Sequence, residues 1–249
     1  MSFDNKVIII TGAGSGIGQA TAVRLAAAGA ILALADINGE GLEATRALLP
    51  ADAKVSLHTT DLSEPDNCEA LVAAVVAAHG RLDVLANVAG ILDWSPLGRF
   101  DAARWHRMVG VNMGAVFFLS QAAVPHLKAT SGNIVNVASA AGLVGIAYNS
   151  AYCATKSGVV GMTKAMAIEL AAEQVRVNAV CPSGVATPMV MGASLPDNVD
   201  MNLIARSTPK MGRFIEADEV AASIQYLASH DARSITGCIL AIDSAQTAG

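Results

Sequence analysis

Tyr152 and Lys156 stand four residues apart in Tyr152-Cys153-Ala154-Thr155-Lys156, on a run with helical spacing. Residues at that interval share one face of a helix. A phenol and an ammonium on one face are the parts of a proton-transfer device. A free tyrosine has a pKa of about 10, too high to exchange protons readily near neutral pH. Lowering it by roughly 2 to 3 units requires ~3–4 kcal/mol in favour of the phenolate. A cation about 4 Å away, at an effective dielectric of about 20, supplies ~4 kcal/mol. One lysine is therefore sufficient in magnitude. Of the three tyrosines, Tyr148 has Tyr152 four residues on and Tyr226 has His230, so only Tyr152 carries a lysine at that spacing. A chance surface pair would have the same spacing, and the decision falls to the elements around it.

Those elements alternate. Short aliphatic runs fall at Lys6–Thr11, Ala30–Asp36, Val55–Thr60, Val84–Val88, Gly132–Val137, Val175–Cys181 and Cys238–Ile242. Helical patterns lie between them at Gly16–Ala28, Gly39–Leu49, Pro65–His79, Ala102–Ala129, Tyr148–Glu173 and Ala217–Ala228. Strands that are apolar throughout are expected where helices cover both sheet faces. The alternation predicts an α/β fold with a doubly wound parallel sheet of about seven strands. With 249 residues and no linker or repeat, residues 1–249 are expected to form one domain. The segment at about 188–213, rich in Met, Pro, Asn and Gly, breaks the rhythm and reads as a functional insertion over a substrate.

Composition narrows the function. The net charge of −5 gives no basic face for nucleic acid. Apolar stretches are short and interrupted, so no membrane span is expected. Met1–Lys6 runs directly into a strand-like segment, so no secretory signal is expected either. Cys68, Cys153, Cys181 and Cys238 are widely separated, which suggests neither a disulfide framework nor a metal site and fits a cytoplasmic protein. Charged residues make up only 15% of the chain, which hints at surface buried between subunits.

The first strand enters Thr11-Gly12-Ala13-Gly14-Ser15-Gly16-Ile17-Gly18, and a helix follows. Glycines let a backbone approach a phosphate, and the helix N-terminus offers unpaired N–H groups to a pyrophosphate. Asp36 ends the second strand, roughly 20 residues past the loop, where a carboxylate accepts from adenosine ribose hydroxyls. It would repel a 2′-phosphate. No Arg or Lys stands beside it in sequence and Ser15 adds no cation, so the cofactor reads as NAD(H) over NADP(H).

In order and on the expected elements, these marks resemble the short-chain dehydrogenase/reductase family over essentially the whole chain. The resemblance rests on the glycine loop, Asn87-Val88-Ala89-Gly90, Asn112, Ser139, Tyr152 with Lys156, and Pro182 to Thr187. It implies that Tyr152 is the acid/base and that Lys156 lowers its pKa and bonds the nicotinamide ribose. It further implies that Ser139 steadies the reacting oxygen and that Asn112 holds a water linking Lys156 to solvent. The implied cofactor set is Gly12, Ser15, Gly16, Ile17, Gly18, Asp36, Asp61, Leu62, Asn87, Ala89, Gly90, Tyr152, Lys156, Pro182, Val185 and Thr187. Within it, Asn87 ties neighbouring strands, Gly90 lets the backbone pass close to the cofactor, Asp61 with Leu62 flanks the adenine, and Val185 and Thr187 hold the carboxamide and a phosphate. Asp61 reads equally as a cap for the next helix.

Two departures stand out. Ser183 follows Pro182 where the family usually has glycine, and Asp243-Ser244-Ala245 replaces the usual Asp-Gly-Gly. The implied reaction is reversible hydride transfer between NAD and a secondary alcohol or ketone, in a homotetramer, without a metal. Leu92, Trp94, Leu143, Val144, Tyr148, Met189 and Met191 are candidate pocket residues, mainly apolar, favouring a cyclic or hydrophobic substrate. A 3-ketoacyl reductase acting on acyl-carrier protein, and a non-catalytic dinucleotide sensor, are the alternatives.

Overall fold

The structure, a computed structural model, describes residues 1–197, 199–205 and 208–248. Seven strands form one parallel sheet: β1 (Val7–Thr11), β2 (Ile31–Asp36), β3 (Val55–Thr59), β4 (Val84–Asn87), β5 (Asn133–Val137), β6 (Arg176–Pro182) and β7 (Ile239–Ile242). Their order is β3-β2-β1-β4-β5-β6-β7. The chain winds outward from β1 to β3, then returns to place β4 on the other side of β1. That reversal opens a crevice at the carboxyl ends of β1 and β4, where such sheets take ligands.

The continuous apolar runs follow from two-sided burial. Alternate residues of β1 go to opposite faces: Ile8 and Ile10 pack with Leu25, Leu42 and Ile224, whereas Val7 and Ile9 pack with Leu71, Leu119 and Leu127. The first face is covered by α1 (Gly16–Ala27), α2 (Gly39–Arg46) and, in the numbering used below, α9 (Ala217–Ala228). The second is covered by α3 (Pro65–His79), α5 (Ala115–Thr130) and α6 (Ser150–Leu170). Each fully buried Leu or Ile contributes ~1.5–3 kcal/mol, so exchanging the two faces of β1 by a one-residue slip is strongly disfavoured.

The expected helix at Ala102–Ala129 is interrupted. It divides into α4 (Ala102–Val109), a π-helical turn over Gly110–Gly114, and α5. The widened turn carries Asn112, which is fully buried and pairs with the backbone of Ile91 through both ends of its amide. Ala102–Thr130 is the one stretch among the described residues long and apolar enough to cross a membrane, yet its α5 half packs on the sheet through Leu119, Ala123 and Leu127. The expected helix at Tyr148–Glu173 starts later, at Ser150, because Tyr148 adopts a left-handed backbone with φ 64°. It ends in a 3-10 turn over Ala171–Glu173, closed by left-handed Gln174. The segment at 188–213 is not structureless: α7 (Pro188–Met191) and α8 (Met201–Ala205) lie within it, while positions 198, 206 and 207 fall outside the described residues.

Candidate active site

The carboxyl ends of β1, β4, β5 and β6 converge on a cleft of about 230 Å³. Its floor is the glycine loop. Gly12 has φ 65°, and a Cβ there would lie 2.8 Å from the Ala89 Cα. A Cβ on Gly18 would run into the Gly12 carbonyl. Both positions therefore exclude larger residues, and the backbone lies bare beneath the N-terminus of α1. Thr11 Oγ1 accepts from the amides of Val88 and Ala89, each at 3.0 Å, which ties the loop after β4 to the end of β1. Ser15, Gly16, Ile17, Ala89, Gly90, Pro182, Val185 and Thr187 all line the cleft, as expected.

Asp36 lines the same cleft. One carboxylate oxygen accepts from Gly14 N at 2.9 Å, and the other from Asn38 N at 2.9 Å. A smaller crevice of about 100 Å³ continues from it between Gly12, Asp36, Asp61, Leu62, Ile91 and Arg107. Asp61 does not cap α3, whose N-cap is Glu64. Instead its carboxylate accepts from the backbone and hydroxyl of Ser63 at 3.0 and 2.8 Å. Those two bonds outweigh burial and, with Arg107 at 3.8 Å, hold its pKa below the usual carboxylate value. Leu62 lines the crevice but buries nearly all its side chain in the core. Arg107 was invisible to the sequence reading because it arrives from α4, far from Asp36 along the chain; its place five residues before Asn112 was the only available signal.

Asn87 does not line the cleft; it ties neighbouring strands, being 2% exposed and donating to Asn136 Oδ1 on the adjacent strand at 2.9 Å. Asn136 in turn donates to Thr163 of α6 at 2.9 Å. This chain of amides fixes β4, β5 and α6 to one another beneath the site. Asn112 likewise lies behind the wall: besides Ile91, its Nδ2 donates to Thr155 Oγ1 at 3.3 Å, one residue before Lys156.

Ser139, Tyr152 and Lys156 meet on one wall of the cleft. Ser139 leaves the end of β5 and caps a 3-10 turn, its Oγ accepting from Ala141 N at 3.1 Å. Tyr152 and Lys156 occupy successive turns at the start of α6. The Lys156 Nζ lies 5.7 Å from the Tyr152 ring centroid and donates to the Val137 carbonyl at 2.8 Å. Burial pushes the Tyr152 phenol up to about 12, with a hydrogen bond from Ser139 working in the opposite direction. Burial also brings Lys156 down to about 8. In the empty cleft burial therefore works against both charged forms, phenolate and ammonium alike, and so opposes the expected acidification of the phenol. Burial was the missing quantity, since a four-residue spacing fixes a shared face but not its depth.

Both departures have structural consequences. The Ser183 hydroxyl is buried without a partner among the described residues, while its amide donates to Ile242 O at 3.1 Å. Ser244 and Ala245 take φ values of 50° and 63°, left-handed conformations that suit glycine. Asp243 holds this turn through the amides of Ala245 and Thr247.

A profile of the family described as short chain dehydrogenase matches residues 6–197. The meso-2,3-butanediol dehydrogenase of Serratia marcescens is 41% identical over 248 residues, covering 100% of this chain and 97% of that protein. The cis-4-hydroxycyclohexanecarboxylate dehydrogenase of Sinomonas cyclohexanicum is 39% identical, covering 99% and 98%. The crystal structure of a 3-ketoacyl-(acyl-carrier-protein) reductase from Brucella melitensis complexed with NADH superposes with a TM-score of 0.88 at 32% identity, covering 99% of this chain and 100% of that one.

Proposed function

The chain belongs to the short-chain dehydrogenase family, and we propose that it interconverts a secondary alcohol and its ketone with NAD(H). Convergence of Ser139, Tyr152 and Lys156 on one wall, directly above a bare glycine loop, is the observation that carries this reading. The residues fit the dinucleotide. The loop offers main-chain N–H groups where a Cβ cannot stand, and the Asp36 oxygens keep lone pairs for ribose hydroxyls beyond their two amide bonds. Val185 and Thr187 face the loop across the cleft, where they would hold the carboxamide and a phosphate. When bound, NAD supplies the hydride acceptor or donor.

The rest falls to the protein. Ser139 donates to the substrate oxygen and orients it towards Tyr152. Tyr152 takes the hydroxyl proton in oxidation and returns it in reduction. Lys156 stays protonated and stabilises the phenolate, against the burial that disfavours both charges in the empty cleft. Asn112 fixes Ile91 and Thr155, and so the wall behind Lys156. No metal enters this scheme.

The rim favours an apolar or cyclic substrate. Leu143, Val144, Met189 and Met191 are exposed hydrophobics from the segments around the cleft, and relatives carry the names of cyclic substrates, cyclohexanol and hydroxycyclohexanecarboxylate, beside an acyclic butanediol. On the loop after β4, Asp93 is neutralised by Arg104, which grips it through two hydrogen bonds. We further propose that residues 1–249 act as one domain, in a cytoplasmic homotetramer. Phe117 on α5 and Ile168 on α6 are exposed enough to enter such contacts.

Purified protein with NAD should oxidise cyclic secondary alcohols, and Tyr152→Phe should abolish turnover while NADH affinity stays within about twofold. Retained turnover in that variant refutes the assignment of the base. Separation from a ketoacyl reductase must rest on substrate, because the Brucella enzyme of that name is itself complexed with NADH. Light scattering tests the tetramer.

A further inference from the structure

Tyr148 holds a conformation that a large side chain rarely adopts, with φ 64°. Such outliers persist only where the surroundings over-determine them, and they cluster at functional sites. The surroundings here are two segments that run on from residues lining the cleft. The Tyr148 carbonyl accepts from Ser95 N at 2.9 Å, in the loop after β4. Its hydroxyl accepts from Asp200 N at 2.9 Å, at the start of α8. Asp200 in turn caps that helix, accepting from Asn202 N at 2.8 Å. The next residue, Asn149, is 2% exposed and anchors Cys153 at the start of α6. One side chain therefore spans from the α6 turn that presents Tyr152 to the segment carrying Met189, a residue of the cleft wall.

We propose that Tyr148 is a positioning residue that latches the α7–α8 segment against the catalytic helix and so sets how tightly the alcohol is held. The proposal deepens the dehydrogenase reading and rests on it for its kinetic arm alone. Tyr148 meets Asp200 through its hydroxyl, so the ring can remain while the latch is removed. The segment it holds exposes Leu195, Met201 and Leu203, apolar side chains suited to closing over an apolar substrate. Release of the latch should loosen substrate binding without touching the proton transfer at Tyr152.

Tyr148→Phe removes the hydroxyl and leaves the backbone turn in place. Loss of one neutral hydrogen bond corresponds to roughly a 2- to 10-fold change. KM for the oxidised alcohol should rise by about that factor, with the pH midpoint of kcat and the KM for NAD unchanged. In the cofactor-free protein, hydrogen–deuterium exchange at the Asp200 amide should quicken by a similar factor while β5 stays protected. Unchanged exchange at Asp200 overturns the latch. Faster exchange with an unchanged KM leaves a purely structural contact and overturns the positioning role. If the wild-type protein oxidises no alcohol, the dehydrogenase reading fails and the exchange arm alone decides whether the latch exists.

Discussion

Replacing Lys156 by Met removes the ammonium and keeps most of the side chain's length, with two opposite consequences. The first is on stability. Lys156 is 3% exposed, and burial lowers it from 10.5 to about 8. A fall of that size is worth ~3 kcal/mol against the charged form at neutral pH. Loss of the bond to the Val137 carbonyl returns about 1 kcal/mol. Lys156→Met should therefore stabilise the empty protein at pH 7 by ~2 kcal/mol, seen as a rise in Tm of several degrees. A lowered lysine binds fewer protons folded than unfolded between its two values, so wild-type stability rises from pH ~8 to ~10 and the variant's advantage disappears there. The second consequence is on the reaction. With the 5.7 Å from Nζ to the ring centroid standing for the charge separation, at an effective dielectric of about 20, the ammonium stabilises a phenolate by ~3 kcal/mol, or ~2 pKa units. The acidic limb of the kcat/KM profile for alcohol oxidation, which reports ionisation of the base, should move ~2 units alkaline, with ~100-fold lost near neutral pH and largely regained at high pH. An unmoved midpoint, with activity lost equally at all pH values, would refute the electrostatic role and leave only ribose binding.

The other tests lie away from the wall. Ser244→Gly and Ala245→Gly place glycine where the backbone is already left-handed, and each should stabilise by about 0.5–1 kcal/mol in thermal unfolding; a loss of stability would show that the side chains pack productively. Asp83, 3% exposed beneath the sheet, accepts from Arg81, Lys6 and the Val7 amide. Burial alone would raise its pKa, but those bonds prevail and lower it. Its contribution is therefore present above the unfolded value near 4 and lost as pH falls through the lower folded value. Asp83→Asn should cost about 2–3 kcal/mol at neutral pH and flatten the loss of stability in acid; an unchanged acid limb on denaturant titration would remove Asp83 from that role.

The strands were legible because two-sided burial writes itself as unbroken aliphatic runs, and all seven lie within one residue of their expected bounds. Helix interiors were less legible. Nothing in local propensity marks Gly110–Gly114 as a π turn, since the turn answers to Ile91 across the fold. Tyr148 reads as a helix start, and only its bonds to Ser95 and Asp200 explain why it leaves the helical region. At the site, residue types and spacing sufficed for the glycine loop, Ser139, Tyr152 and Lys156, because each stands at the end of a strand or one helical turn from its partner. Depth did not appear in the sequence, and depth works against the charged forms of both Tyr152 and Lys156. Arg107 depends on a contact between distant segments and stayed hidden for the same reason, whereas the cross-strand role of Asn87 was legible from its place at the end of a strand.

Three tyrosines in the chain make carbon-13 NMR of ring-labelled tyrosine a direct probe, with Tyr152→Phe assigning the signal. In the empty protein Tyr152 should stay un-ionised through pH 10, consistent with a phenol pushed up to about 12. Saturation with NAD should bring its midpoint down by at least ~2 units, the part that a protonated Lys156 contributes, and Lys156→Met should abolish most of that shift. A midpoint indifferent to NAD, or one that falls equally without Lys156, would contradict the assignment of these two groups as the coupled acid and cation of the reaction.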